Sequence, residues 1–123
     1  MAVCLASAVA AARIAATAFT LTWMHTVERI PWQEDWRVEA DRLVLETVRL
    51  KGSGAGMEPA PEARLVDGWY VWHPRDDTRT QIVLRRADTA MAGDWSLCTE
   101  PEGCRSLAEL VGGADPVRLL PCP

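Results

Sequence analysis

The fold is decided by residues 23–36, which read Trp23-Met24-His25-Thr26-Val27-Glu28-Arg29-Ile30-Pro31-Trp32-Gln33-Glu34-Asp35-Trp36. Apolar and polar side chains alternate on both sides of Pro31, and a period of two is typical of β-strands. Proline favours a bend or a strand end, so this stretch predicts a strand, a turn and a second strand. The alternation places His25 and Glu34 among apolar side chains. Burying a polar group without a partner costs roughly 2–7 kcal/mol, so we treat this position as a candidate site.

The second strand is predicted to continue into a β-hairpin. Ala40-Asp41 serves as a two-residue turn, and a strand follows over residues 42–51. Directly opposed residues of a hairpin share one face. The predicted pairs are Glu39–Arg42, Trp36–Leu45, Glu34–Thr47 and Trp32–Arg49.

One face of this hairpin collects the candidate site. It brings Glu34 within diagonal reach of Arg49, with Trp32 and Trp36 beside them. If the preceding strand packs alongside, His25 joins the group. Arginine holds carboxylates in fork geometry, so the hypothesis is a ligand-binding or partner-binding site walled by tryptophans. The alternative is an internal ion pair on a partly covered sheet.

The opposite face of the hairpin carries two carboxylates. The same register places Asp35 opposite Glu46, and like charges across a hairpin are unfavourable. Two interpretations stay open at this point. The pair is either two solvated carboxylates beside Arg37 or a cation site.

The rest of the chain predicts further short strands and one helical turn. A Gly/Pro-rich loop over residues 52–61 cannot continue a strand. Strands are expected over 68–73, 80–85, 94–98 and 116–120, and a short helix over 106–111 with Ser106 as N-cap and Glu109 three residues on. Many short strands separated by turns predict a small, single-domain, all-β protein. We expect an antiparallel β-sandwich or barrel with one short C-terminal helix.

Size and charge narrow the classes of function. The chain has 123 residues, which suffices for one domain, and a net charge of −4. Nucleic-acid binding needs a clustered basic surface, so we expect no nucleic-acid partner. The six tryptophans stand against a single Tyr and a single Phe. Tryptophan is common both in cores and at interfaces.

The first twelve residues resemble the apolar region of a secretory signal. Small-residue cleavage sites of the A-x-A kind occur at Ala6-Ser7-Ala8 and Ala8-Val9-Ala10, and Arg13 ends the apolar run too early for a membrane span. No basic residue precedes Arg13, which is atypical of a signal. An Ala-rich N-terminal helix is the alternative. We predict export, with a signal-like segment over 1–12 and the β domain over 17–123.

Cysteine usage agrees with an exported protein. Cys98 and Cys104 bracket a short loop with Pro and Gly, and a disulfide there is expected in an oxidising compartment. Cys122 could compete for either partner, and Cys4 would be lost with the signal segment. No C-x-x-C pair occurs, so we predict neither a metal nor a cofactor.

Catalytic motifs do not stand out. The Gly-rich run Gly52-Ser-Gly-Ala-Gly56 matches neither a phosphate loop nor a dinucleotide fingerprint, and no G-x-S-x-G elbow occurs. An enzyme would have to use His25 as base and Glu34 as the group that orients it.

The motifs His25-Thr-Val-Glu28, the Glu34 strand and Gly54-Ala-Gly56 resemble the DUF1850 family, small bacterial proteins of unknown function. The resemblance runs from about Phe19 into the C-terminal region. Residues His25, Glu28, Glu34, Gly54 and Gly56 match the family's pattern, and Thr26 stands where Ser is common. Family members resemble exported or membrane-attached proteins and often appear beside tripartite (TRAP) transporters of the TAXI type. The resemblance therefore implies a transport context and does not identify an activity.

From these patterns we expect a non-catalytic, extracytoplasmic accessory protein of a TAXI-type TRAP uptake system, periplasmic or held on the outer side of the inner membrane. Its tryptophan-lined face would bind a transporter subunit or an organic-acid ligand. The alternative is a small periplasmic hydrolase or metal-dependent enzyme that uses His25 and Glu34.

Overall fold

The computed structural model describes residues 1–25, 30–52, 58–86, 94–100 and 102–123, apart from the side chain of His25. The elements in chain order are β1 (Ala2–Ala6), β2 (Ala11–Ile14), β3 (Ala18–His25), β4 (Ile30–Glu39), β5 (Arg42–Leu50), β6 (Arg64–Val66), β7 (Trp69–Trp72), β8 (Thr78–Arg79), β9 (Ile82–Leu84), β10 (Ser96–Thr99), β11 (Gly103–Ser106), α1 (Leu107–Val111) and β12 (Val117–Cys122).

These strands form two antiparallel sheets. The small sheet has the order β2-β1-β12-β9, and the large sheet has the order β11-β10-β3-β4-β5-β7-β6, with β8 also paired to β5. Alternate residues from both sheets enter one hydrophobic core, including Val3 and Leu119 from the small sheet and Leu21 and Trp36 from the large one. Full burial of such a side chain stabilises the fold by about 1.5–3 kcal/mol. The predicted all-β fold with one short C-terminal helix is confirmed, and it is a sandwich.

The short helix begins where the capping pattern predicted. The Ser106 hydroxyl accepts from the Glu109 backbone N–H, and the Glu109 side chain accepts from the Ser106 backbone N–H. This capping box satisfies two backbone donors that a helix start otherwise leaves open. Across the described residues no helix is long and apolar enough to cross a membrane.

The β4–β5 hairpin follows the predicted register only as far as Trp36. Pairing runs from Glu39–Arg42 to Trp36–Leu45, and then a β-bulge at Glu46 shifts it by one residue. Because of the extra residue, β5 turns Val48 toward the core after Leu45. The pairs beyond the bulge are Asp35–Thr47, Glu34–Val48, Gln33–Arg49 and Trp32–Leu50. The predicted pairs Glu34–Thr47 and Trp32–Arg49 are therefore wrong.

The N-terminal residues are part of the sandwich. Strand β1 lies between β2 and β12, its residues Val3 and Leu5 are fully buried, and Cys4 is bonded to Cys122. The alternative of an Ala-rich helix is wrong. In this structure Cys4 lies in β1 and forms a disulfide with Cys122, whereas the signal interpretation has Cys4 removed. Removal of residues 1–12 in the mature protein stays a prediction, and it would take a central strand out of the small sheet.

Candidate functional site

Two tryptophans hold the carboxylate of Glu34. Trp32, Glu34 and Trp36 alternate along β4 and share its core-facing side. The Trp32 Nε1–H donates to Oε2 of Glu34, and the Trp36 Nε1–H donates to Oε1. Each donor–acceptor distance is 2.9 Å. Each carboxylate oxygen can accept two hydrogen bonds. The carboxylate is therefore held in one orientation while each oxygen keeps capacity for another donor.

A cluster of four half-buried tryptophans continues from this carboxylate. Trp32 meets Trp72 edge to face at 5.8 Å between ring centroids, and Trp23 stacks on Trp95 at 6.0 Å. Trp23 and Trp32 are direct cross-strand partners on β3 and β4. We call Trp23, Trp32, Trp72 and Trp95 together with Glu34 the aromatic end. Trp36, at the other side of Glu34, is only 1% exposed, so the aromatic end is where the core face of the large sheet reaches solvent.

Trp95 is positioned by its neighbour Asp94. The guanidinium of Arg86 donates to both oxygens of Asp94, with the shorter contact at 2.6 Å. The same carboxylate accepts from the backbone N–H of Ala108 in the first turn of α1 at 3.0 Å. Arg86 also donates to the carbonyl of Ala114. This network ties the start of β10 to the helix and so fixes one wall of the aromatic end.

The residues that flank the His25-Thr-Val-Glu28 motif and those that precede the Gly-rich run lie close together beside the aromatic end. The backbone of His25 pairs with Ile30, and the Lys51 backbone N–H donates to the Pro31 carbonyl at 3.2 Å. Gly52 has a φ of +100°, a conformation that disfavours any side chain. The His25 side chain and three further predicted site residues, Glu28, Gly54 and Gly56, lie outside the described residues. The structure thus brings the flanks of both motifs together next to Trp32.

Arg49 does not join Glu34, and the predicted Glu34–Arg49 pair is wrong. The bulge moves Arg49 to the outer face of the sheet, where its Nη1 and Nη2 donate to the two oxygens of Asp35 at 2.8 and 2.7 Å. Its Nε donates to the Gln33 side chain at 3.0 Å, and the Thr20 hydroxyl donates to Asp35 at 2.7 Å. Three of the five N–H groups of Arg49 are therefore used by Asp35 and Gln33.

The environment of Asp35 favours its ionised form. Burial alone would raise the pKa of Asp35, but the hydrogen bonds from Arg49 and Thr20 and the positive charge of Arg49 outweigh it and lower the pKa. Asp35 faces Thr47, so its predicted opposition to Glu46 is wrong. Glu46 lies instead 3.5 Å from Arg37. Among the described residues no group of three potential metal ligands occurs, and the cation-site interpretation of Asp35 and Glu46 is not supported.

Sequence reasoning missed the contribution of Trp72. The sequence predicts a strand over 68–73 but leaves its pairing partner open. In the structure β7 pairs with the far end of β5, with Val48 opposite Trp72. That pairing joins residues distant in sequence, and no local pattern specifies it.

The disulfide between Cys98 and Cys104 joins directly opposed residues of β10 and β11. It lies at the edge of the large sheet, away from the aromatic end. The second disulfide, Cys4–Cys122, joins neighbouring strands of the small sheet. Each sheet therefore carries one covalent cross-link.

Comparison with known protein families matches residues 19–105 to the family described as "Domain of unknown function (DUF1850)". The match runs from β3 into β11 and so includes the aromatic end and both strands of the Cys98–Cys104 hairpin. No curated protein and no solved structure matches the chain. Because the family match covers well over half of the sequence, this chain belongs to the DUF1850 family.

Proposed function

We propose that this protein is a non-catalytic, extracytoplasmic accessory protein of a TAXI-type TRAP solute-uptake system, and that its aromatic end docks on a transporter subunit. The observation that carries the proposal is the carboxylate of Glu34, held by Trp32 and Trp36 at a half-exposed tryptophan cluster. Rigid aromatic side chains around one charged group are typical of the energetic centre of a protein interface.

The charge at the aromatic end argues for one kind of occupant. An organic acid would need a cation, and the predicted cation, Arg49, is bound to Asp35 on the other face. Glu34 instead offers a carboxylate that accepts from donors. The partner surface that suits it carries a cationic or hydrogen-bonding side chain within an apolar patch. A transporter subunit fits this description better than an organic acid does.

The two indole hydrogen bonds to Glu34 are also relevant to the hydrolase alternative. A general base must reach the proton that it abstracts and is commonly oriented by a third group. Both oxygens of Glu34 accept from neutral indole N–H groups that belong to its own strand. Such an arrangement suits recognition, because the two indole N–H groups orient the carboxylate and neither is a proton carrier.

Support for an extracytoplasmic location comes from the cysteines. The four cysteines of the chain form two disulfides. Disulfides persist in oxidising compartments and are rare in the cytosol. The proposed class of partner rests on the resemblance to the DUF1850 family, whose members often appear beside TAXI-type transporters.

Co-purification tests the proposal. The oxidised protein, tagged at its C-terminus, should retain the membrane subunit of a TAXI-type TRAP transporter when the two are expressed together. Retention should be lost on Trp32→Ala and kept on Thr22→Ala, which changes a residue of the opposite face of β3. No retention by the wild-type protein would count against docking. Turnover of a panel of esters that disappears in Glu34→Gln would support the hydrolase alternative instead.

A further inference from the structure

We propose that a groove beside β6 and β7 binds a small organic anion, namely a carboxylate carried on an apolar body. The groove encloses about 590 Å³, which lies within the usual range for small-molecule sites, roughly 300–1,000 Å³. It forms because β7 runs past the first residue of β6. Arg64 is opposite Val71, and Trp72 and His73 lie beyond that last pair.

Two arginines line this groove, and no carboxylate of the described residues pairs with either. Arg64 begins β6, and Arg75 follows β7 in the chain. Within the described parts of the chain neither makes an ion pair. By contrast, Arg49 and Arg86 are held by aspartates. A guanidinium offers a planar fork of donors that matches a carboxylate, so Arg64 and Arg75 supply the charge that an organic anion needs.

The ring of His73 also lines the groove. Its Nδ1 lies 3.3 Å from the carbonyl oxygen of Glu46 and 3.2 Å from the hydroxyl of Thr47. A carbonyl oxygen only accepts, which makes Nδ1 the protonated nitrogen toward Glu46. The contact orients the ring. In this tautomer Nε2 carries a lone pair and accepts, so His73 shapes the groove and supplies no donor to a carboxylate.

The remaining walls are apolar, with one exception. Val71 and Trp72 are half-buried and present apolar surface to the groove, while Glu62 contributes one carboxylate. With two arginines against one glutamate, the groove carries a single net positive charge before His73 is counted. This balance suits a singly charged carboxylate with an apolar body better than a phosphate dianion. The inference does not rest on the proposed docking function, because the groove uses none of the residues of the aromatic end except Trp72.

Benzoate is a suitable probe, with the full-length oxidised protein titrated by ¹H–¹⁵N NMR and calorimetry. We expect saturable binding that shifts the signals of residues 64, 71, 73 and 75. Benzyl alcohol, the neutral analogue, should bind at least tenfold more weakly, and inorganic phosphate should bind more weakly than benzoate. The variants Arg64→Gln and Arg75→Gln should each weaken benzoate binding about tenfold. Arg118→Gln, an exposed arginine on the small sheet, is the matched control and should leave it unchanged.

The variant Glu62→Gln tests the sign of the charge balance. Removing the one carboxylate of the groove should tighten benzoate binding several-fold, a gain that loss of folding cannot imitate. Absence of saturable benzoate binding, benzoate affinity in Arg64→Gln and Arg75→Gln equal to that of wild type, or affinity for benzyl alcohol equal to that for benzoate would overturn the proposal. Phosphate binding tighter than benzoate would replace it with a general anion site.

Discussion

Arg49 binds Asp35 across β4 and β5 and lies on the face opposite Glu34. The hairpin therefore presents two carboxylates one residue apart with different surroundings. Asp35 is joined to an arginine and to Thr20 of β3, so it links three neighbouring strands. Among the described residues, Glu34 is held by the indole donors of Trp32 and Trp36 at the aromatic end. We assign Asp35 to stability and Glu34 to recognition, and the two can be tested separately.

The stabilising role of Asp35 predicts a defined pH dependence. Because folding lowers the pKa of Asp35, its contribution is present above the unfolded pKa of about 3.9 and is lost as the pH falls through the lower, folded pKa. Asp35→Asn should lower the free energy of unfolding by roughly 1 kcal/mol at pH 7, a modest value because the Asp35 side chain is 34% exposed. The difference from wild type should shrink as the pH falls below about 4.

Urea denaturation at several pH values measures this effect. Asp41→Asn is the matched control, since Asp41 is an exposed turn carboxylate, and it should change stability little. A gap between wild type and Asp35→Asn that stays constant from pH 7 to pH 2 would show that the ion pair is not its source.

Glu34 also contributes to stability, and two substitutions at this position should lower the free energy of unfolding by different amounts. Glu34→Ala leaves the indole N–H of the buried Trp36 without its acceptor, which should cost about 1–3 kcal/mol. Glu34→Gln keeps one oxygen acceptor and should cost less. Chemical denaturation followed by circular dichroism compares the two with Glu39→Ala, an exposed position. Equal stability of Glu34→Ala and Glu39→Ala would mean that the indole bonds contribute nothing.

The two disulfides should differ in strength of stabilisation. Cys4 and Cys122 are 118 residues apart, whereas Cys98 and Cys104 are separated by six. In the chain-entropy account the stabilisation grows with loop length, giving about 5 kcal/mol for the long loop and about 2 kcal/mol for the short one. Thermal melts of the Cys4→Ser/Cys122→Ser and Cys98→Ser/Cys104→Ser double variants measure the ranking. A larger loss from the short loop would contradict it.

The sequence and the structure lead to different expectations for the N-terminal segment, namely removal and retention, and one measurement distinguishes them. The signal-like composition predicts a mature start near residues 10–12, whereas the structure gives Val3 and Leu5 a fully buried place in β1. A chain that starts at Arg13 loses that strand and the Cys4–Cys122 bond, so we expect it to unfold at markedly lower denaturant concentration. N-terminal sequencing of the protein recovered from the periplasm shows which form occurs. A start near residues 10–12 together with undiminished stability would exclude a stabilising role for β1.

Much of the large sheet can be predicted from local sequence patterns. The alternation of β3 and β4, the Ala40-Asp41 turn and the capping box at Ser106 are short-range features, and each was predicted correctly. The bulge had a signal as well, because the apolar phase of β5 breaks between Leu45 and Val48. The predicted pairing continues past this point without a shift. A one-residue slip reverses every later side chain, which is why Arg49 was assigned to the wrong face.

Other parts of the site depend on contacts that a local pattern cannot specify. Strand β1 pairs with β12 from the far end of the chain, and its alanines and valine fit a signal segment equally well by composition. Trp72 and Trp95 join the aromatic end only through the pairing of β7 with β5 and of β10 with β3. Arg64, His73 and Arg75 carry no motif, and only the geometry of β6 and β7 brings them together.

The central claim is that the aromatic end, with Glu34 at its edge, binds a transporter subunit. The most direct test is the affinity of the purified TRAP membrane subunit for four folded proteins, namely wild type, Glu34→Gln, Trp32→Ala and Thr22→Ala. Loss of a hydrogen bond to a charged group is worth roughly 1.5–3 kcal/mol, so Glu34→Gln should weaken binding at least tenfold and Trp32→Ala as much or more. Thr22→Ala should bind as wild type does. Equal affinity of all four proteins would contradict the account.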